Sequence, residues 1–138
     1  LTVNTEAVRL TQDRDDRYVP RGSIAAVFRD GEELVLIDSG SQELARVDAS
    51  DLSATKIQDA FERCHYPWTE GHPYEQEFHR WVDGHPALDD HSNHLLRARA
   101  RALTDKRTGM AADLTEQLQD AGVVVRDRHG AQQYRLVR

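Results

Sequence analysis

The sequence has a single cysteine, Cys64, so no disulfide can close within the chain, and a reducing compartment is the natural expectation. Long apolar runs are also missing. The longest, IAAVF at 24–28 and LVLI at 34–37, fall far short of the roughly 20 residues that a membrane-spanning helix needs. No signal-peptide pattern opens the chain. Membrane insertion is therefore not expected, and the cytoplasm is the default location. The sequence contains no glycine-rich phosphate loop, nucleophile elbow, paired-cysteine motif, or recognisable serine or cysteine triad. Nothing in it indicates a cofactor, and a non-enzymatic module is the expectation.

What is present is an ordinary globular composition, with 38% hydrophobic and 30% charged residues among 138. That length fits one domain, or two small subdomains sharing a core. A net charge of −6 argues against a generic polyanion binder, because affinity for nucleic acid rests on Lys and Arg neutralising phosphates. The charge is uneven, however. Residues 1–91 carry 9 basic and 19 acidic side chains, whereas residues 92–138 carry 9 and 5. Eight of those last nine basic residues are arginine, the side chain best shaped for bidentate phosphate recognition. A nucleic-acid contact, if any, belongs to the C-terminal third.

Local patterns predict an α+β fold with a small N-terminal antiparallel β-sheet, central helices, and a C-terminal helix-turn-helix plus β-hairpin. Residues 1–50 read as β-rich, 51–90 as a helical middle, and 91–138 as the helix pair with its hairpin. SIAAVF at 23–28 and ELVLID at 33–38 alternate as strands joined through Asp30 and Gly31, a pair that tolerates positive φ. QELARVD at 42–48 follows as a third strand after a turn at 39–41. Ser53 is placed to cap a helix over 54–65, with Ile57, Ala60, Phe61 and Cys64 as its apolar stripe. A second helix is predicted from Pro73 to Asp83, with Tyr74, Phe78, Trp81 and Val82 inward. Two more are predicted over 93–105 and 110–121, the first capped by Asp90 or Ser92. Met110, Leu114 and Leu118 form the inner face of the last helix, and Gly122 is its cap. VVVRD at 123–127 and QQYRLV at 132–137 then close as a hairpin around His129 and Gly130.

The C-terminal unit carries the most specific pattern. Arg97 with Ala100 and Arg101, Leu118 four residues before Gly122, the valine run, Asp127, Gly130, and the ending at Tyr134 and Arg135 resemble the last module of bacterial cysteinyl-tRNA synthetases. About a third of the chain is covered, and aligning both helices needs about three extra residues around 104–109. The resemblance implies a helix pair with a β-hairpin that helps to bind the tRNA anticodon region. Aminoacylation is not implied, because the synthetase catalytic domain and its zinc site are absent. Read for chemistry alone, Arg97, Arg101, Arg126, Arg128 and Arg135 offer phosphate contacts. Gln132 offers hydrogen bonds to base edges, and Tyr134 an aromatic face for stacking. The bland reading of the hairpin is an exposed polar face over a core of Val123 and Val125. A winged helix-turn-helix would use the same elements, but Asp113, Glu116 and Asp120 on the would-be recognition helix repel DNA.

Two further constellations compete. Arg17 and Arg21, with Asp51 and Ser53 some thirty residues on, resemble the arginine pair and Asp-x-Ser-x-x-Gly motif of PilZ domains. That resemblance implies a cyclic di-GMP regulator, although the motif's final glycine is Lys56 here. His72, Glu75 and His79 fall at three- and four-residue spacing, which on one helix would set them on one side as metal ligands. Histidines on a solvated helix face explain that spacing more simply. The aromatic cluster Tyr66, Trp68, Tyr74, Phe78 and Trp81 reads as a core seam or as the docking surface of a protein partner or homo-oligomer.

Overall fold

A computed structural model describes residues 1–12 and 15–137, and these divide into two compact units, Leu1–Glu75 and Gln76–Arg138. The fold is α+β, with three antiparallel sheets and three α-helices among the described residues.

The first unit begins with an antiparallel sheet of β1 (Thr2–Val3), β2 (Ala7–Gln12) and β3 (Asp15–Pro20). Val8 and Leu10 alternate inward while Arg9 and Thr11 face out, the period-two pattern of a half-buried strand. After a 3-10 turn at Arg21–Ser23 comes a second antiparallel sheet, β4 (Ala26–Asp30), β5 (Glu33–Ile37) and β6 (Glu43–Asp48). β4 and β5 form the expected hairpin, but its two turn residues are Gly31 and Glu32 rather than Asp30 and Gly31, because Asp30 still pairs with Glu33; Gly31 supplies the positive φ, at 62°. On one face of this sheet Arg46 bridges Asp30, Glu33 and Glu43. Burial alone would lower its pKa, but the bonds and charge of Glu43 and Asp30 outweigh that and hold it protonated.

Helix α1 (Ala54–Arg63) is capped as expected, with the Ser53 hydroxyl accepting from the Lys56 N–H at 3.3 Å. Its buried side chains, Ile57 and Phe61, complete a core with Val8, Leu10, Val19, Val27, Leu34 and Leu36. Each such side chain contributes about 1.5–3 kcal/mol by leaving water. Past α1 the chain returns beside β4 in parallel. The Val27 N–H donates to the Pro67 carbonyl at 3.0 Å, and the Thr69 N–H to the Val27 carbonyl at 2.8 Å.

The second unit holds β7 (His79–Arg80), α2 (Asp90–Thr104), α3 (Thr108–Asp120), β8 (Val123–Arg128) and β9 (Ala131–Leu136), in sheet order β7-β9-β8. Asp89, rather than Asp90 or Ser92, caps α2, its carboxylate accepting from the Ser92 N–H at 2.7 Å. Gly122 adopts φ 81° just past α3, where an L side chain would be strained. His129 and Gly130, both at positive φ, make the two-residue hairpin turn. Leu95, Leu96 and Leu118 pack with Val123, Val125 and Tyr134 in the core.

The helix predicted over 73–83 does not form. A 3-10 turn at Glu75–Glu77 and strand β7 stand there instead. The reason is non-local: β9 offers an unpaired edge, and His79, Arg80 and Trp81 take it, the Trp81 N–H donating to the Gln132 carbonyl at 2.9 Å. Trp81 remains inward, its indole N–H on the Asn93 side-chain oxygen at 3.0 Å, whereas Val82 is exposed. On α3 the buried residues are Ala111 and Leu118, with Leu114 packed beside them; Met110 is exposed.

Candidate nucleic-acid interface

Residues 97, 99 and 101 are arginines, and on a helix three residues spaced by two cannot share a face. The structure resolves the run into two roles. Arg99 turns inward one turn beyond Leu95 and Leu96, and its guanidinium grips the Asp127 carboxylate with two nitrogens at 2.9 and 2.8 Å. Its remaining donors reach the Thr115 hydroxyl at 2.7 Å and the Gln132 side-chain oxygen at 2.8 Å. Gln132 in turn donates to the Leu96 carbonyl at 2.9 Å, so the network joins both helices to both strands of the hairpin.

Arg97 and Arg101 turn outward. With His94 they form an exposed stripe along α2, and exposed Lys106 and Arg107 follow in the turn where that helix ends. Arg97 makes a bidentate ion pair with Asp83 at 2.9 and 2.6 Å, both side chains about half exposed, at 49% and 52%. The hydrogen bonds from Arg97 hold the Asp83 carboxyl below the usual carboxylate range, and the same bonds raise Arg97. An exposed pair of this kind contributes little net stability, so a phosphate can replace the carboxylate at small cost.

The hairpin side chains are placed differently from the sequence expectation. Arg126 is 3% exposed, stacks its guanidinium 3.9 Å from the Phe78 ring centre, and donates from Nε to the Gln133 side chain at 2.8 Å. Arg135 is 1% exposed, with its guanidinium 5.7 Å from the same ring. Tyr134 is buried in the core, its hydroxyl 3.1 Å from His85 Nδ1, and burial pushes its phenol pKa up. Tyr134 therefore presents no face for stacking, and Gln132 no free base-reading edge. The hairpin is covered on both faces rather than one, and Arg128 is half-buried at its end. Arg99, Thr115 and Asn93 were not singled out from the sequence. The available signal was the register of Arg99 with Leu95 and Leu96.

The remaining candidates do not assemble. Arg21 donates to the Cys64 and His65 carbonyls at the C-terminal end of α1 and lies over the Tyr66 ring. Ser53 caps the opposite end, ten helical residues or about 15 Å away. Arg17 and Asp51 are exposed. His72 stacks 4.3 Å from Phe28, with its Nδ1 accepting from the Tyr74 N–H, and Glu75 and His79 are exposed. Without a helix over 73–83, the spacing that would set His72, Glu75 and His79 on one side does not arise. Among the described residues no three His, Cys, Asp or Glu side chains group as metal ligands would. No helix among them is long and apolar enough to cross a membrane.

The two units thus define a protein in which a β-rich module closed by one helix precedes a helix pair with a β-hairpin. Residues 1–69 match the model of the YqeB-like bacterial PH domain, and the chain belongs to that family. This corrects the PilZ resemblance. Residues 85–135 match the cysteinyl-tRNA ligase anticodon binding domain, in agreement with the resemblance drawn from the C-terminal third. Uncharacterized protein YqeB of Bacillus subtilis (strain 168) is 32% identical over 133 residues, which is 96% of this chain and 55% of that protein. The chain therefore spans about half the length of that relative. No solved structure matches this chain.

Proposed function

We propose that the second unit is an RNA-binding module of the tRNA-recognising type, and that it meets its ligand through the solvated face of α2 and the turn that follows. The observation that carries this reading is the sorting of the arginine run. Arg99 secures the hairpin, which leaves Arg97 and Arg101, with Lys106 and Arg107, in water on a domain that matches an anticodon-binding family. His94 to Arg101 spans about 10 Å of helix, a length that admits successive phosphates of one strand. Binding without catalysis, in a reducing cytoplasm suited to the lone Cys64, completes the reading.

The test is binding of the whole chain to bulk tRNA at two salt concentrations. Four phosphate contacts predict a slope of log affinity against log salt of about −3 to −4. Replacing Arg101, Lys106 and Arg107 by alanine should reduce that slope by about 2 to 3 and weaken binding accordingly. Unchanged affinity in the triple variant, or no salt-dependent binding by the parent chain, would sink the proposal and favour a protein-interaction role.

A further inference from the structure

The first unit carries an open groove of about 510 Å³, lined by Gln58 and Glu62 of α1 and by His65, Tyr66, Pro67, Trp68 and Glu70 of the segment that follows. That volume lies in the range of small-ligand sites. Three features bear on its occupant. Glu62 and Glu70 approach from two different elements, and among the described residues neither has an ion-pair partner; Glu70 only accepts a hydrogen bond from Gln58 at 3.0 Å. The Trp68 indole nitrogen is buried, with no hydrogen-bond partner among the described residues, while its ring packs 5.9 Å from Phe61.

The third feature is the backbone. In the parallel bridge to Val27, the neighbours Pro67 and Thr69 make both bonds to β4, so the N–H and C=O of Trp68 point away from the sheet. The N–H is folded back onto the Tyr66 carbonyl at 2.9 Å. Among the described residues no N–H donates to the Trp68 carbonyl, and an unpaired acceptor on extended backbone beside a strand is a template for an added extended segment.

We propose that this groove binds an extended basic peptide segment, with one Arg or Lys side chain between Glu62 and Glu70 beside the Trp68 ring and its backbone N–H on the Trp68 carbonyl. Charge selects the occupant: residues 1–75 hold 15 acidic and 8 basic side chains, so an acidic segment is repelled and a basic one attracted. A cation beside an indole gains further from the ring quadrupole. This site is independent of the RNA reading, which concerns the other unit.

The probe is a capped five-residue peptide with arginine at its centre and alanine elsewhere, titrated into the full chain and followed by amide and indole NMR shifts. Shifts should appear at residues 58–70 and at the Trp68 indole N–H. Affinity should fall at least tenfold when the central arginine becomes glutamine, and at least tenfold in the Glu62→Gln, Glu70→Gln double variant. Both glutamates are exposed, so that variant keeps its fold, which its unchanged shifts elsewhere would verify. Absence of shifts in this segment, or equal binding by the glutamine peptide or by the double variant, overturns the proposal. Equal binding by capped free arginine overturns the part that assigns the Trp68 carbonyl.

Discussion

Arg99 on α2 and Asp127 on β8 are joined by two parallel hydrogen bonds, with the arginine side chain 8% exposed and the carboxylate 46% exposed. Such a bond is asymmetric in consequence. Removing the cation strips the Thr115, Asp127 and Gln132 side chains of their shared donor, whereas removing the carboxylate leaves Arg99 two other acceptors. Arg99→Ala should cost about 1–3 kcal/mol of stability, because the buried Gln132 side-chain oxygen loses its donor. Asp127→Asn should cost clearly less. Urea unfolding of the two variants, followed by circular dichroism, checks the order, and equal losses would contradict it.

The hairpin arginines separate folding from binding. Arg126→Ala removes the stack on Phe78 and the bond to Gln133, and should cost about 1–3 kcal/mol. Its RNA affinity, measured at a temperature where the variant is folded, should match that of the parent. A loss of affinity without a loss of stability would return the RNA site to the hairpin.

Asp83 competes with phosphate for Arg97. Asp83→Asn should therefore strengthen tRNA binding by roughly two- to fivefold, the scale of an exposed ion pair. Arg97→Ala should weaken it. Filter binding at fixed salt distinguishes the two directions.

Acid should act on the start of α2. The Ser92 N–H bond holds the Asp89 carboxyl below its ordinary range, and Arg97 does the same for Asp83. A depressed folded-state pKa contributes stability that is present above the unfolded value of about 3.9 and is lost as pH falls through the folded one. Asp89→Ala should lower the melting temperature at neutral pH, and the difference from the parent should shrink below pH 3. A difference independent of pH would show that the carboxylate charge is not what caps the helix.

Where a structural cause lay within a few residues, the sequence already disclosed it. Ser53 before Ile57 and Phe61, Gly31 between the first two strands of its sheet, Gly122 after Leu118, and His129 with Gly130 each set local geometry, and each stands where it was expected. Tyr74, Phe78, Trp81 and Val82 mimic a helical stripe, but the edge of β9, some fifty residues on, captures this backbone as a strand. The burial of Arg126 and Arg135 was hidden for a related reason. Arginine is ordinarily a surface residue, and the placement of Phe78 against the hairpin, which gives these two an interior partner, leaves no local trace in the sequence. On α2 the register of Arg99 with Leu95 and Leu96 was a local signal for its inward turn, whereas its partners Thr115, Asp127 and Gln132 lie too far along the chain to be read from it.

The chain has two tryptophans, and one falls in each compact unit: Trp68 beside Phe61, and Trp81 bonded to Asn93. Each unit thus carries its own optical label. In Trp81→Phe the emission reports only the PH-type unit, and in Trp68→Phe only the anticodon-type unit. Coincident fluorescence curves from the two variants would mean that the halves melt as one cooperative body, and separated midpoints that either can open while the other keeps its shape.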